Sequence, residues 1–321
     1  MAKPLFVRVA LLCVPLTLAA APATAQIAES VGSRALGMGG AFVAVASDSS
    51  ATWWNPAGLA AGPFLDLAIG KAVTEGGDST TSRRDSATWF ALATPPFGVA
   101  YYRLHIKDIQ RFDATTGQAG ANRQGRGAGV PVRSLAANQL GVTILRTLIP
   151  GVHAGTTLKY LRGALEGEHA EGRFDLDVGV LAVAGPVRLG GAVRNVRAPE
   201  FGAGGPGQGI QLARQVRVGA AFNPEDATGV PLTIALDADV VSYSAGTGDR
   251  RVVAVGAERW IASKRVGIRA GGRLNTVGAR DRSATAGLSV SLRPGMFVDG
   301  HVVRGGSADD RGWGVAARVS F

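Results

Sequence analysis

Ser283-Ala-Thr-Ala-Gly-Leu-Ser-Val-Ser-Leu292 alternates without a break. An extended chain turns successive side chains to opposite faces. Ala284, Ala286, Leu288, Val290 and Leu292 therefore share one face, and Ser283, Thr285, Gly287, Ser289 and Ser291 share the other. Leu232 to Val240 sets Leu232, Ile234, Leu236, Ala238 and Val240 against Thr233, Ala235, Asp237 and Asp239. Phe174 to Ala182 sets Phe174, Leu176, Val178 and Val180 against Asp175, Asp177 and Gly179. Period two marks strands with one apolar and one polar face.

Working outward, such segments recur from 63–74 to 311–321, about fourteen in all, many near the ~9–11 residues with which a tilted strand crosses a bilayer. The segments at 86–94, 97–107 and 251–261 alternate poorly, and Tyr101-Tyr102 predicts a bulge or phase change. Connections alternate too. Pro95-Pro96, Pro150-Gly151, Gly185-Pro186, Ala262-Ser263 and Pro294-Gly295 are tight turns, with a longer turn from Asn223 to Gly229. Between them lie longer polar loops, of which 106–133 is the longest. Short turns at one end and long loops at the other are the asymmetry of an outer-membrane barrel. A soluble β-sandwich would alternate as well, but its outer face would carry Lys and Glu rather than Gly, Ser and Thr. The fold class expected is all-β, a transmembrane antiparallel barrel of about fourteen strands with a short helical N-terminal plug.

The last segment supports this. Trp313, Val315, Ala317, Val319 and Phe321 share one face. Trp313 and Phe321 are spaced for the two aromatic girdles, and a terminal aromatic after an amphipathic strand is similar to the signal read by the barrel-assembly machinery. At the other end, Lys3 and Arg8 precede an apolar run, and Ala23-Thr24-Ala25 has the small-x-small form of a cleavage site. The expected division is a signal peptide over 1–25, a plug or latch over 26–61 and the barrel over 62–321, in the outer membrane after cleavage near Ala25. Cys13, the single cysteine, lies in the leader, so the mature chain has no disulfide or thiolate metal site. The formal charge falls from +10 to +8 once Lys3 and Arg8 are removed. The excess is spread along the chain, which suits lipid and lipopolysaccharide contact better than a nucleic-acid patch.

With the apolar face toward lipid, the polar face lines the lumen. It would carry Asp66, Asp175, Asp177, Asp237, Asp239 and Asp299, together with Lys159, Arg188, Arg194, Arg217, Arg269, Arg273 and Arg318. Mixed signs away from bulk water predict a paired network; a selective ion path would show a ring of one sign. No motif calls for a metal or cofactor. Gly37-x-Gly39-Gly40 has Phe42 where a dinucleotide loop needs its last glycine. Glu166, Glu168, His169 and Glu171 read as a solvated loop tip. Asp299 and His301 share a strand face, but no nucleophile pairs with them in sequence, so no enzyme activity is expected.

The stretch from Val31 to Ala60, VGSRALGMGGAFVAVASDSSATWWNPAGLA, fits none of these strands. Asn55 is a good helix N-cap and Pro56 suits the first helical position. Asp48 or Ser47 could cap a preceding helix running through Trp53. Arg34-Ala-Leu-Gly-Met-Gly-Gly-Ala-Phe42, followed by Asp48 and Trp53-Trp54-Asn55-Pro56-Ala57-Gly58, resembles the N-terminus of PorV/PorQ-family outer-membrane proteins. These are in turn similar to FadL-type (OmpP1/FadL/TodX) transporters. The resemblance implies a plug just before the first strand, carried here by Arg34, Gly37, Gly39, Gly40, Asp48, Trp53, Trp54, Asn55, Pro56 and Gly58. By the PorV/PorQ likeness the partners would be exported proteins of a type IX-like secretion system. By the FadL likeness the partner would be a hydrophobic ligand passing the barrel. The lumen read from sequence, charged and lined by glycine without a clear apolar pocket, favours the first.

Overall fold

The computed structural model describes residues 30–76, 83–109, 133–165, 169–201, 210–245, 248–278, 281–306 and 311–321. The leader and most of the 106–133 loop lie outside them, as do Glu166 and Glu168. Fourteen antiparallel strands form a closed barrel. They are β1 (Asp66–Gly76), β2 (Arg83–Thr94), β3 (Phe97–Ile109), β4 (Arg133–Ile149), β5 (Val152–Leu165), β6 (Glu171–Ala184) and β7 (Val187–Arg194) in the first half. The second half is β8 (Gln215–Phe222), β9 (Leu232–Asp239), β10 (Val252–Ile261), β11 (Val266–Asn275), β12 (Arg282–Arg293), β13 (Met296–Gly305) and β14 (Arg311–Ser320). Each strand pairs with its sequence neighbours, and β1 closes onto β14 from Asp66↔Ser320 to Glu75↔Arg311. A closed sheet leaves no unpaired edge, which is what a bilayer demands of a spanning sheet.

The alternation decides which face is which. Leu288, Ile234, Leu236 and Phe174 are exposed on the outside, while Ser289, Thr233, Asp237 and Asp175 are buried inside. An outer surface of exposed Leu, Ile, Val and Phe is stable only against hydrocarbon. Trp313 and Phe321 both point outward, 46% and 63% exposed. Deleting Trp313–Phe321 removes nearly all of β14 and unpairs β1 from its Asp66–Val73 partners. The truncated chain is expected not to assemble, read as loss of the heat-modifiable folded band in the outer-membrane fraction.

The bulge expected at Tyr101-Tyr102 is not there. The β2–β3 register runs unbroken from Ser86↔His105 to Thr94↔Phe97. Tyr101 faces out and Tyr102 in. These strands alternate poorly because the inner face is also apolar, carrying Trp89, Tyr102 and Leu104. The register slips instead between Ile106 and Ile109, at the long-loop end.

The tight turns at Pro95-Pro96, Pro150-Gly151, Gly185-Pro186, Ala262–Arg265 and Pro294-Gly295 all fall at one end, where β1 begins and β14 finishes. The longer turn after β8 holds a short helix, Glu225–Thr228. Residues 30–65 enter the lumen from this end. They form α1 (Ser33–Gly37), α2 (Ala51–Trp54) and a 3-10 helix, Pro56–Ala61.

Candidate functional site

The N-terminal segment fills the barrel. Val31, Met38, Phe42, Trp53, Trp54 and Leu59 are all buried, and they form one apolar cluster with Ala68, Trp89, Tyr102 and Leu161 of the wall. So much apolar and aromatic surface is driven out of water, and the lumen is the place that removes it. The wall makes room by presenting glycine. A Cβ at Gly271 would lie 2.5 Å from Gly39 N, and one at Gly190 would lie 2.5 Å from the Val43 carbonyl oxygen. Gly155 faces the Pro56 backbone and Gly256 faces Met38 just as closely. Gly39 (φ +70) and Gly40 (φ +82) supply the left-handed turn after α1.

Polar groups fix this seat. Asn55 is extended, caps the 3-10 helix by accepting from Ala57 N at 3.1 Å, and has Pro56 behind it at the first helical position. Its amide nitrogen donates to Val43 O in the plug (2.8 Å) and to Val180 O on β6 (3.0 Å). The Asp237 carboxylate on β9 accepts from both Phe42 N (2.7 Å) and Val43 N (2.8 Å). Asp66 accepts from Ser49 N at 2.8 Å, and Thr285 donates to Gly37 O at 3.0 Å. Asn55→Ala strips the cap and leaves two buried carbonyls without their donor. It is expected to cost about 2–4 kcal/mol of plug stability, measured as earlier proteolytic release of the N-terminal segment on heating.

A run of charges then links plug and wall. Glu258 on β10 takes Arg34 of α1 at 2.6 Å and Arg269 of β11 at 2.7 Å. Arg269 reaches Asp299 of β13 at 3.8 Å, Asp299 takes Arg318 at 3.1 Å, and Arg318 reaches Asp66 at 3.5 Å. Arg34 also lies 3.5 Å from Asp48, the neighbour of Ser49, so the run returns to the plug where Asp66 holds it. A second cluster sits on the opposite side. Lys159, fully buried, is held by Asp175 (3.0 Å), Asp177 (2.6 Å) and Asn195 (2.8 Å). Arg217 pairs with Asp239 at 2.7 Å. The signs alternate, as a structural network requires and a single-sign ion filter does not.

Toward the long-loop end the inner wall changes character. Trp89, Tyr102, Leu104 and Leu161 turn inward from β2, β3 and β5, and Phe201 and Leu212 cover them from the β7–β8 connection. Phe201 lies flat against Gly163. Trp53 meets Tyr102 edge-on at 4.9 Å, with the Arg194 guanidinium 4.0 Å over its other side. Beside Trp53 is a small cavity lined also by Gln139, Asn195, Leu212 and Gln215, with room for roughly one water. The inner wall thus has an apolar, aromatic face, where the sequence predicts a charged, glycine-lined lumen without an apolar pocket. It is hidden in β2 and β3 because apolar residues stand on both of their faces, and in β5 because Leu161 follows Lys159 on one face.

A closed fourteen-strand barrel, filled from its short-turn end and apolar above the filling, is a distinctive shape. Its fold is that of the FadL-type barrels. A Pseudomonas aeruginosa FadL homologue superimposes with a TM-score of 0.64 at 11% identity, over 93% of this chain and 100% of that one. The CymD monoaromatic hydrocarbon channel gives 0.62 at 11% identity, over 91% and 98%. The P. putida toluene transporter TodX gives 0.58 at 10% identity, over 91% and 99%. No sequence family and no curated protein matches the chain. At these identities the likeness to the FadL-type barrels is one of fold.

Of the plug residues singled out from sequence, Gly37, Gly39, Gly40, Trp53, Trp54, Asn55, Pro56 and Gly58 are all buried in the lumen, and Arg34 and Asp48 join its charge network. One capping expectation fails. α2 starts at Ala51 with Ser50 in the cap position, and Asp48 instead accepts from Ser50 N at 3.0 Å. Two short turns side by side bring the carboxylate to Ser50 before the helix begins. Among the lumen charges, Asp237 binds plug backbone, and Arg273 donates to Ser283 at 3.0 Å. Arg188 stands half-exposed near the short-turn rim and pairs with no described carboxylate. Asp299 accepts from Ser289 and Arg318 rather than His301. Glu258 was missed, although it is the hinge of the largest network. It follows Val252, Ala254 and Gly256 on the inner face of β10, and a strand so apolar inside gives no period-two signal.

Proposed function

We propose that this chain is an outer-membrane channel for small hydrophobic molecules, closed on its short-turn side by the plug. The observation that carries the reading is the apolar inner wall of Trp89, Tyr102, Leu104 and Leu161, contiguous with Trp53 of the plug. An apolar solute entering from the long-loop end reaches this wall by displacing Phe201 and Leu212, which cover it, and the rings and aliphatic side chains then replace its water. At the plug it meets the Trp53 ring, over which the Arg194 guanidinium lies at 4.0 Å. The likeness to a toluene transporter and a monoaromatic hydrocarbon channel supports this choice of cargo. The alternating charges, paired within the wall or between wall and plug except at Arg188, hold the closure and favour no ion of one sign. The secretion reading rests on the wording of the N-terminal motif, and the described residues add no protein-binding feature to it.

Cells carrying the protein in their outer membrane are expected to take up radiolabelled toluene faster than cells without it, with no gain for a charged solute of similar size. Equal toluene uptake overturns the reading. Leu161→Asp, which puts a charge on the apolar wall, is expected to cut the gain at least tenfold while the barrel still assembles.

A further inference from the structure

The outer face carries a feature that the lumen does not explain. The register sets Lys71, Thr88, Arg103, Asn138 and Arg162 side by side across β1–β5. All five point outward, and Lys71, Arg103 and Arg162 are exposed. Strands lie ~4.8 Å apart, so each cation stands about 10 Å from the next along the row, with a hydroxyl and an amide between. No described carboxylate pairs with them. The adjacent row toward the short-turn end is Ile69, Phe90, Tyr101, Leu140, Tyr160 and Phe174, all exposed. Four rings in one row mark a membrane–water boundary, and the cations sit one step beyond it.

The same pattern continues across the barrel closure. Arg304 and Arg311 are directly opposite in the β13–β14 register, both exposed, one step beyond Trp313 and Val302. Like charges directly opposite destabilise a sheet unless an anion lies between them. Glu75, across from Arg311, is the one acid of this face among the described residues. By contrast, β6–β9 carry no Lys or Arg on their outward positions.

We propose that the outer face of β1–β5, continued onto β13–β14, docks phosphate-bearing lipid headgroups of the outer leaflet. The inference rests on the outer-membrane reading with the long loops outward. Arg103 and Arg162 present guanidinium forks that match phosphate oxygens. Lys71 adds a point charge, Thr88 and Asn138 bond headgroup hydroxyls, and the ring row beneath packs on the start of the acyl chains. Arg103 donates to His105 through Nε at 3.0 Å, which leaves the rest of its fork outward; anionic phosphate is what makes a row of cations without carboxylate partners stable against a membrane.

The test uses the purified full barrel in a neutral detergent, with bis-phosphorylated lipid A and its dephosphorylated form as probes. Wild type is expected to retain lipid A through native mass spectrometry and to melt at a higher temperature with it; the dephosphorylated form does neither. R103Q/R162Q is expected to bind lipid A about thirtyfold more weakly. R103K/R162K, which keeps the charge, holds most of the affinity, and Arg259→Gln at the other rim changes nothing. Equal binding by R103Q/R162Q, equal binding of the dephosphorylated lipid, or no binding by either overturns the proposal and leaves a solvated rim only. Outer-membrane fractionation of the same chains reports separately on the location.

Discussion

Glu258→Gln is expected to lower the stability of the plugged barrel by about 3–5 kcal/mol, the cost of breaking a buried ion pair from one side. Glu258 holds two guanidinium groups at once. Arg34 donates to it through Nη2 (2.6 Å) and Nε (3.0 Å), and Arg269 through Nε (2.7 Å). The substitution keeps the size of the side chain and removes its charge. Arg34 is then left with Asp48 at 3.5 Å and Arg269 with Asp299 at 3.8 Å, both longer contacts. Two cations held by one carboxylate and largely buried from solvent repel each other once its charge is gone. Arg34 belongs to the plug and Arg269 to the wall, so the repulsion pushes the plug from its seat. The measurement is the temperature at which the folded band is lost, together with protease access to residues 30–62. An unchanged melting temperature with an intact plug would show that the network is not what holds it.

Gly271→Val is expected to expel the first turn of the plug while leaving the barrel closed. A Cβ at Gly271 would lie within 2.5 Å of Gly39 N and 2.6 Å of the Met38 carbonyl oxygen. Both are backbone atoms of a turn, and a turn cannot rotate aside as a side chain can. The strand itself favours a β-branched residue, so strain falls on the plug, at more than the ~1–3 kcal/mol typical of overpacking. The variant should assemble in the outer membrane, show heat modifiability, and conduct ions in planar bilayers where wild type is silent. Gly300→Ala on the outward face, whose Cβ meets nothing nearer than 3.8 Å, is the matched control and should stay silent. A silent Gly271→Val barrel would mean that the plug tolerates displacement at Met38–Gly40 or that another element seals the lumen.

The parts of this structure legible in the sequence were those governed by one rule. Period two fixed the faces of β6, β9 and β12, because each has lipid on one side and polar groups on the other. Pro150-Gly151 and Gly185-Pro186 marked turns through their own backbone limits. Asn55-Pro56 announced a cap, and Asn55 does cap. Where two neighbours had to be known, the reading stopped. Asp237 looked like one more lumen carboxylate until the register placed it against Phe42 N and Val43 N. Tyr102 looked like part of an irregular strand because its partners, Thr52 at 2.6 Å and the Trp53 ring, belong to the plug. The apolar inner wall could not be told from a buried strand, and the outer cations could not be told from loop charges. Both distinctions depend on which residues stand side by side across strands far apart in sequence.

The central claim is that residues 30–62 are a built part of the barrel interior. Amide hydrogen exchange in the native, unmodified protein tests it most directly. Phe42 and Val43 donate their backbone N–H groups to the Asp237 carboxylate, all three buried, so they should exchange as slowly as amides in the middle of β9. Exchange at those two positions as fast as in an unstructured peptide, with β9 still protected, would contradict it.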